Sequence, residues 1–212
     1  MHTHFTEGLN IRDMILTKQP KTVLELGAGT GENTRLIQGL LDDYKFNYTV
    51  ISDCELKGLD KRITFKRGLS YELIPTFPDN SIELCLIDTD HNYWTLAKEL
   101  TELDPKMAID GIIMMHDVSH FYHDTGMAMT YSNETIYPEK AILDTGLRQG
   151  GIGSALIDFL SFKRFNYKLL SFTQHSYGGA TIQKLDIKQV NVYRPGTNPA
   201  YVGKQQKEKC AV

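Results

Sequence analysis

The residue order Val23-Leu24-Glu25-Leu26-Gly27-Ala28-Gly29-Thr30-Gly31-Glu32 leaves little choice about local structure. An aliphatic run ends there in three glycines at alternate positions, and a helix-like pattern begins directly afterwards. Glycine allows a positive φ and lets a ligand approach the main chain closely. Free N–H groups of such a turn, and of a helix start, face that ligand. The segment therefore predicts a strand, a ligand-binding turn and a helix.

The rest of the chain alternates between apolar strands and amphipathic helices. Helices are predicted over 9–17, 32–41 and 93–103 and again from about Ser154, whereas 54–62 is too short for a full helix. The predicted strands are 22–26, 48–52, 63–66, 82–87, 111–115, 167–172 and 180–185, the last two forming a hairpin-like pair. This alternation favours an α/β fold with a doubly wound, mostly parallel sheet and helices on both faces.

We expect a single domain over residues 1–185, because the sequence shows no repeat and no sign of a second domain. The periodicity fails over 119–150, and a loop of this length in a compact domain is usually functional, so a lid insertion is predicted there. Residues 186–212 form a polar tail that is either disordered or used at a subunit contact. Because the tail is a candidate subunit contact, the sequence leaves open whether the protein forms a homo-oligomer.

Composition argues against several classes of function. The net charge of −3 gives no general attraction to nucleic acid or to an anionic membrane. No apolar run approaches the ~18 residues of a membrane span, and the N-terminal residues lack the pattern of a signal peptide. Three widely spaced cysteines, Cys54, Cys85 and Cys210, suit free thiols in a reducing compartment. We expect a cytoplasmic protein whose partner is a small molecule.

The glycine spacing is G-x-G-x-G rather than the G-x-G-x-x-G of dinucleotide sites, which disfavours an NAD(P) dehydrogenase. With an acid two residues before the first glycine, the segment resembles the first motif of class I S-adenosylmethionine methyltransferases. The resemblance implies a Rossmann-like methyltransferase sheet and a turn that carries the methionine end of the cofactor. The residues it assigns to the cofactor here are Glu25, Gly27, Ala28, Gly29, Thr30 and Asn33. Helix capping is the alternative role of Asn33.

The same resemblance assigns residues to the adenosine part of the cofactor. Asp53 follows the second strand, where a carboxylate accepts two hydrogen bonds from a ribose diol. Glu55 is the rival, because a strand end read from sequence shifts by a few residues. Ser70, in Gly68-Leu69-Ser70 after the third strand, resembles the adenine-side segment.

A second cluster of polar residues follows the fourth and fifth strands. The fourth is followed by Asp88-Thr89-Asp90-His91-Asn92-Tyr93, and the fifth ends in His116-Asp117. Adjacent parallel strands lie ~5 Å apart, so Asp88 and Asp117 can reach one ion if these strands are neighbours. Carboxylates suit Mg²⁺, which rarely receives a complete protein cage. The Asn/Asp-Pro-Pro-Tyr motif of nucleic-acid amino methyltransferases is absent from this position.

This arrangement resembles metal-dependent O-methyltransferases, in particular the branch with macrolide sugar O-methyltransferases and cephalosporin-hydroxylase-like proteins. By position, the resemblance makes Asp88 and Asp117 metal ligands, with Asp88 also beside the cofactor, and makes His91 the catalytic base. His116 stands where an acid is common, so its ligation is left open. A nitrogen ligand there would shift the preference from Mg²⁺ toward a transition metal.

The sequence therefore favours an S-adenosylmethionine-dependent, divalent-metal-assisted O-methyltransferase. Its acceptor is expected to be a hydroxyl of a small molecule, such as a sugar or a glycosylated metabolite. Two alternatives stay open. One is a metal-dependent oxygenase or hydrolase on the same fold, because fold does not fix function. The other is a non-catalytic module that binds S-adenosylmethionine.

Overall fold

The structure is a computed structural model that describes residues 10–90, 93–118, 152–173 and 178–186. The predicted lid and nearly all of the predicted tail lie outside the described residues. So does His91, the predicted base.

Seven strands form one sheet in the order β3-β2-β1-β4-β5-β7-β6. The strands are β1 (Thr22–Leu26), β2 (Asn47–Ser52), β3 (Ile63–Arg67), β4 (Ile82–Ile87), β5 (Met107–His116), β6 (Tyr167–Thr173) and β7 (Gly179–Lys184). β7 runs antiparallel to both of its neighbours, and the other pairs are parallel. The predicted mostly parallel sheet is confirmed, as is the antiparallel pairing of the last two strands.

Helices cover both faces of this sheet, as predicted. They are α1 (Ile11–Lys18), α2 (Glu32–Gln38), α3 (Ser70–Leu73), which continues into a 3-10 helix (Ile74–Thr76), α4 (Tyr93–Lys106) and α5 (Ile152–Phe162). One apolar core joins α4 and α5 to the sheet through residues such as Leu100 and Leu156. A second core joins α1 and α2 to the opposite face through Ile15 and Ile37. Within the described ranges, no helix is both long and apolar enough to cross a bilayer.

The register of the central strands brings their carboxyl ends to one level. Leu26, the last residue of β1, pairs with Ile87 of β4, and Ile87 pairs with Met115 of β5. The residues that follow these positions therefore emerge side by side at the carboxyl edge, where open α/β sheets bind ligands. β7 begins at this same edge, because Gly179 pairs with His116.

Three elements differ from the sequence prediction by three residues or more at one end. α2 ends at Gln38 rather than near residue 41, because Gly39 and the next residues continue as turns. α4 extends through Pro105, which lies in its last turn. β5 begins at Met107 instead of Gly111, because Met107 already pairs with Ile82 of β4. Asp110 takes a left-handed conformation (φ 63°) within the irregular stretch that follows.

Candidate functional site

The glycine turn after β1 is built from residues with positive φ. Gly27, Gly29 and Gly31 have φ of 79°, 48° and 82°, a region in which side chains are strained. The Gly27 N–H donates to Ile51 O at 2.9 Å, and the Gly31 N–H donates to Ala28 O at 2.7 Å. These bonds close the turn and fix it to the end of β2.

The three glycines differ in their surroundings. A Cβ on Gly27 would lie 2.1 Å from the backbone oxygen of Asp88, so the turn packs directly on the end of β4. A Cβ on Gly29 would meet no described atom within 4 Å. The turn is therefore closed on the β4 side and open at Gly29, which leaves room for a ligand against the main chain.

Asn33 offers a further test of whether a cofactor fits this turn. It lies near the start of α2 and is 7% exposed. In the part of the chain that the structure describes, no donor reaches its buried Oδ1 atom. A buried acceptor of this kind is costly unless it receives a hydrogen bond. The open face at Gly29 and the Asn33 acceptor both suit a cofactor that carries an amino group.

Glu25 is the second-to-last residue of β1, shortly before the glycine turn, and it is 2% exposed. Its carboxyl oxygens accept hydrogen bonds from Thr34 Oγ1, at 3.0 Å each, and from the Tyr48 hydroxyl. Burial raises the pKa of Glu25 to about 7, although the two hydroxyls favour the ionised form. The carboxyl thus connects β1 to α2 and β2, while the assignment of Glu25 to the cofactor stays a prediction.

The residues predicted for adenosine occupy two different environments. Asp53 and Glu55 both follow β2 and are exposed, so the choice between them as the ribose ligand stays open. Leu56, in the same segment, lies 3.1 Å from the position of a Cβ on Gly31, so this segment folds back toward the glycine turn. Ser70 is buried, and its hydroxyl donates to a carboxylate on α4, that of Glu99.

Glu99 is a buried acid that sequence reasoning missed. It is 0% exposed, and it accepts from Ser70 and from Thr89 Oγ1, the latter at 2.9 Å. Burial raises its pKa to about 8, against the effect of both hydrogen bonds. The periodicity of α4 predicted its apolar inward residues, and Glu99 falls beside them. An acid inside an apolar helix face was the signal available.

Asp88, His116 and Asp117 meet at the ends of β4 and β5. Each offers one ligand atom, and these atoms lie within 4.8 Å of one another. His116 Nδ1 lies 3.0 Å from Asp117 Oδ2 and 3.5 Å from Asp88 Oδ1. β4 and β5 are neighbours in the sheet, as the predicted convergence of the two acids requires.

The negative charge of the two carboxylates in this cluster governs the pKa of its histidine. Burial disfavours the charged imidazolium, but the carboxylates of Asp117 and Asp88 outweigh it and raise the pKa of His116 to about 10. Two carboxylates at this distance favour a cation between them. When a divalent metal displaces the His116 proton, two oxygens and one nitrogen within 4.8 Å form a donor set for it. The residues present therefore fit a metal site.

The two buried glutamates predict how stability depends on pH. Their folded pKa values, about 7 for Glu25 and about 8 for Glu99, lie above the ordinary value of 4.5. Between about pH 4.5 and about pH 8 the folded protein holds more protons than the unfolded chain, so the free energy of unfolding falls as pH rises. With ~1.4 kcal/mol for each pKa unit, Glu99 alone accounts for a few kcal/mol.

We expect Glu99→Gln to remove part of this loss, because the amide stays neutral. The measurement is urea denaturation at about pH 5 and about pH 9, where the variant gains relative to wild type at the higher pH. Glu102→Gln, half-buried on the same helix, is the matched control. If the stability of wild type and of Glu99→Gln changed equally between the two pH values, the raised pKa of Glu99 would be contradicted.

Comparison with known proteins agrees with this architecture. Residues 24–118 match the family described as "Methyltransferase domain". Among proteins with curated descriptions, none matches the chain.

Solved structures with the same fold share little sequence with the chain. MycE methyltransferase from the mycinamycin biosynthetic pathway, in complex with Mg and SAH, superposes with a TM-score of 0.54 at 10% identity, over 92% of this chain and 54% of that one. The chain thus spans about half the length of MycE. A Staphylococcus aureus protein assigned as a caffeoyl-CoA O-methyltransferase gives 0.54 at 16% identity, over 82% and 80% of the chains.

A third similar structure is the Burkholderia thailandensis 1,6-didemethyltoxoflavin-N1-methyltransferase with bound substrate and S-adenosylhomocysteine. Its TM-score is 0.51 at 14% identity, over 81% of this chain and 74% of that one. These likenesses concern the fold. Together with the family match, they support one statement: residues 24–118 match the methyltransferase domain family, and the chain has the fold of these solved methyltransferases.

Proposed function

We propose that this chain is a methyltransferase that transfers the methyl group of S-adenosylmethionine to a hydroxyl of a small molecule, with the help of a divalent metal. One observation carries the proposal: the glycine turn and the Asp88, His116 and Asp117 cluster share one edge of the sheet. The turn packs on the Asp88 backbone, and the Asp88 side chain belongs to the cluster. A methyl donor over the turn and a metal at the cluster would therefore be neighbours.

The cofactor is held by main chain and by a few polar side chains. In this proposal the open main chain at Gly29 accommodates the methionine part, and Asn33 Oδ1 accepts from its amino group. A carboxylate after β2, that of Asp53 or Glu55, accepts from the ribose hydroxyls. Ala28 and Thr30 complete the turn, and Ser70 borders the adenine side.

The metal would be held by Asp88 and Asp117, with His116 as a third ligand. A bound dication lowers the pKa of a coordinated hydroxyl by several units and so makes a sugar-type oxygen a better nucleophile. The carboxylates fix the position of the acceptor relative to the methyl donor, and such alignment supplies much of the rate gain. His91, three residues after Asp88, is proposed to take the hydroxyl proton as the general base.

The acceptor class is the finer part of the proposal. A metal site beside the donor favours an oxygen acceptor, and two of the similar structures are named for an O-methyltransferase and for the mycinamycin biosynthetic pathway. We propose a hydroxylated sugar or a glycosylated metabolite. The toxoflavin enzyme methylates nitrogen, so a panel of paired hydroxyl and amino acceptors, assayed with radiolabelled S-adenosylmethionine, separates the two acceptor atoms. Labelling of only the amino compounds would refute the oxygen acceptor.

Metal removal tests the two halves of the site separately. We expect S-adenosylhomocysteine to bind in the presence of EDTA, because the glycine turn and Asn33 hold it without the metal. Methyl transfer is expected to fall by at least ~100-fold in EDTA and to return with Mg²⁺ or Mn²⁺. Calorimetry measures the first quantity and label transfer the second. Full transfer in EDTA would remove the metal from the mechanism and leave the methyltransferase assignment intact.

A further inference from the structure

Glu99 joins two loops that lie far apart in the sheet order. Ser70 follows β3 and Thr89 follows β4, and β2 and β1 lie between these strands. Strands are spaced ~4.8 Å apart, so β3 and β4 are separated by about 14 Å. Even so, hydroxyls from both loops donate to the same carboxyl group. Glu99 therefore holds the loops after β3 and β4 together across the two intervening strands, at the carboxyl edge that also carries the glycine turn.

The Thr89 side of this bridge touches the candidate site directly. Thr89 is the residue after Asp88, and its Cα lies 2.7 Å from the position that a Cβ on Gly27 would take. A single hydrogen bond thus connects Glu99 to the segment that packs against the glycine turn and carries the Asp88 carboxylate. On the other side, Ser70 begins α3, which α4 also contacts through a Tyr71–Trp94 ring pair at 5.0 Å.

Burying an acid at this position costs desolvation free energy, which hydrogen bonds must offset. An apolar residue would extend the α4 core formed by Leu96, Leu100 and Leu103 without that cost. A fully satisfied buried polar group, in contrast, specifies one arrangement of the groups around it. Both oxygens of Glu99 receive a hydroxyl, so the group is of the satisfied kind.

We propose that Glu99 is a positioning residue for the cofactor: by holding Ser70 and Thr89 together, it sets the distance between the adenine-side loop and the loop that packs on the glycine turn. The inference deepens the proposed function and rests on it, since it requires S-adenosylmethionine to lie between these loops. Glu99 itself touches neither cofactor nor substrate.

The experiment compares S-adenosylhomocysteine affinity, by calorimetry, among variants of the full chain. Glu99→Ala removes both hydrogen bonds, and we expect its Kd to rise about ten-fold or more. Glu99→Gln should stay within about three-fold of wild type, because an amide accepts from one hydroxyl and donates to the other. Leu103→Ala, which empties part of the same core one turn away, is the stability control: we expect its Tm to fall without a change in Kd.

Single-side variants make the test independent of whether Glu99→Ala folds. Thr89→Val and Ser70→Ala each remove one hydrogen bond, and each should raise the Kd about three-fold or more. Adding either to Glu99→Ala should have little further effect, because the variants break the same bridge. Unchanged affinity in both single-side variants would overturn the inference, as would Leu103→Ala weakening binding as much as Glu99→Ala. Absence of binding by wild type would instead refute the proposed function, and the inference with it.

Discussion

Substituting alanine for Gly27 is expected to destabilise the fold by at least ~3 kcal/mol and to abolish cofactor binding. The added Cβ would lie 2.1 Å from Asp88 O, 2.6 Å from Asp88 C and 2.7 Å from Thr89 Cα, all of them backbone atoms. This backbone cannot move aside, since the Asp88 N–H donates to Leu26 O at 2.9 Å within the sheet. The φ of 79° adds strain to the collision.

Gly29→Ala is the matched control in the same turn. Its φ of 48° is also positive, but its Cβ would meet no described atom within 4 Å. We expect a loss of only ~1–2 kcal/mol from backbone strain, together with weaker S-adenosylhomocysteine binding, because the methyl group enters the open face. Urea denaturation and calorimetry on both variants measure the two effects. A Gly27→Ala protein with wild-type stability would show that the turn does not pack on β4 as described.

Asp117→Asn is expected to reduce Mn²⁺ binding and methyl transfer by at least ~100-fold while S-adenosylhomocysteine affinity stays within about three-fold. The change removes the anionic ligand but preserves the shape of the side chain. Asparagine is the appropriate replacement because Asp117 has a φ of 58°, a conformation that asparagine tolerates and alanine does not. Asp88 follows the neighbouring strand β4, and we expect Asp88→Asn to weaken Mn²⁺ binding in the same way.

Asp110→Asn controls for the backbone conformation. Asp110 lies in the same strand, has a φ of 63° and accepts from Gln183 at the opposite end of β5. We expect it to bind Mn²⁺ and transfer methyl groups as wild type does. The readouts are the electron paramagnetic resonance signal of free Mn²⁺, label transfer and calorimetry. Normal Mn²⁺ binding by both Asp117→Asn and Asp88→Asn would remove the metal site from the proposal.

Much of the fold could be predicted because local patterns and the sheet agree. β1 and β4 have the bounds that the sequence predicted, since each is a short apolar run that ends in a glycine or an acid. Asp88 and Asp117 were predicted to meet because both follow strands of one parallel sheet, and the β4–β5 pairing has that form. Strand order was the unknown, and it depends on packing between distant segments.

The hydrogen-bonded environments of the site could not be predicted from sequence. Tyr48 is a typical strand residue, and nothing local indicates that its hydroxyl donates to Glu25 across the β1–β2 pair. Glu99 has the same property, because its partners lie 29 and 10 residues away along the chain. Such contacts depend on tertiary packing, which overrides the local preference for placing acids in water.

The antiparallel β7 has a consequence for which parts of the chain can vary around the candidate site. Because Gly179 pairs with both His116 and Thr173, β6 ends and β7 begins at the sheet edge of the Asp88, His116 and Asp117 cluster, on the side away from β1. Under the proposed function, the segments beside the acceptor thus belong to the later half of the protein, whereas the glycine turn and the carboxylates after β2 precede β4. On that proposal, changes in the later half alter the choice of acceptor while the cofactor residues stay as they are.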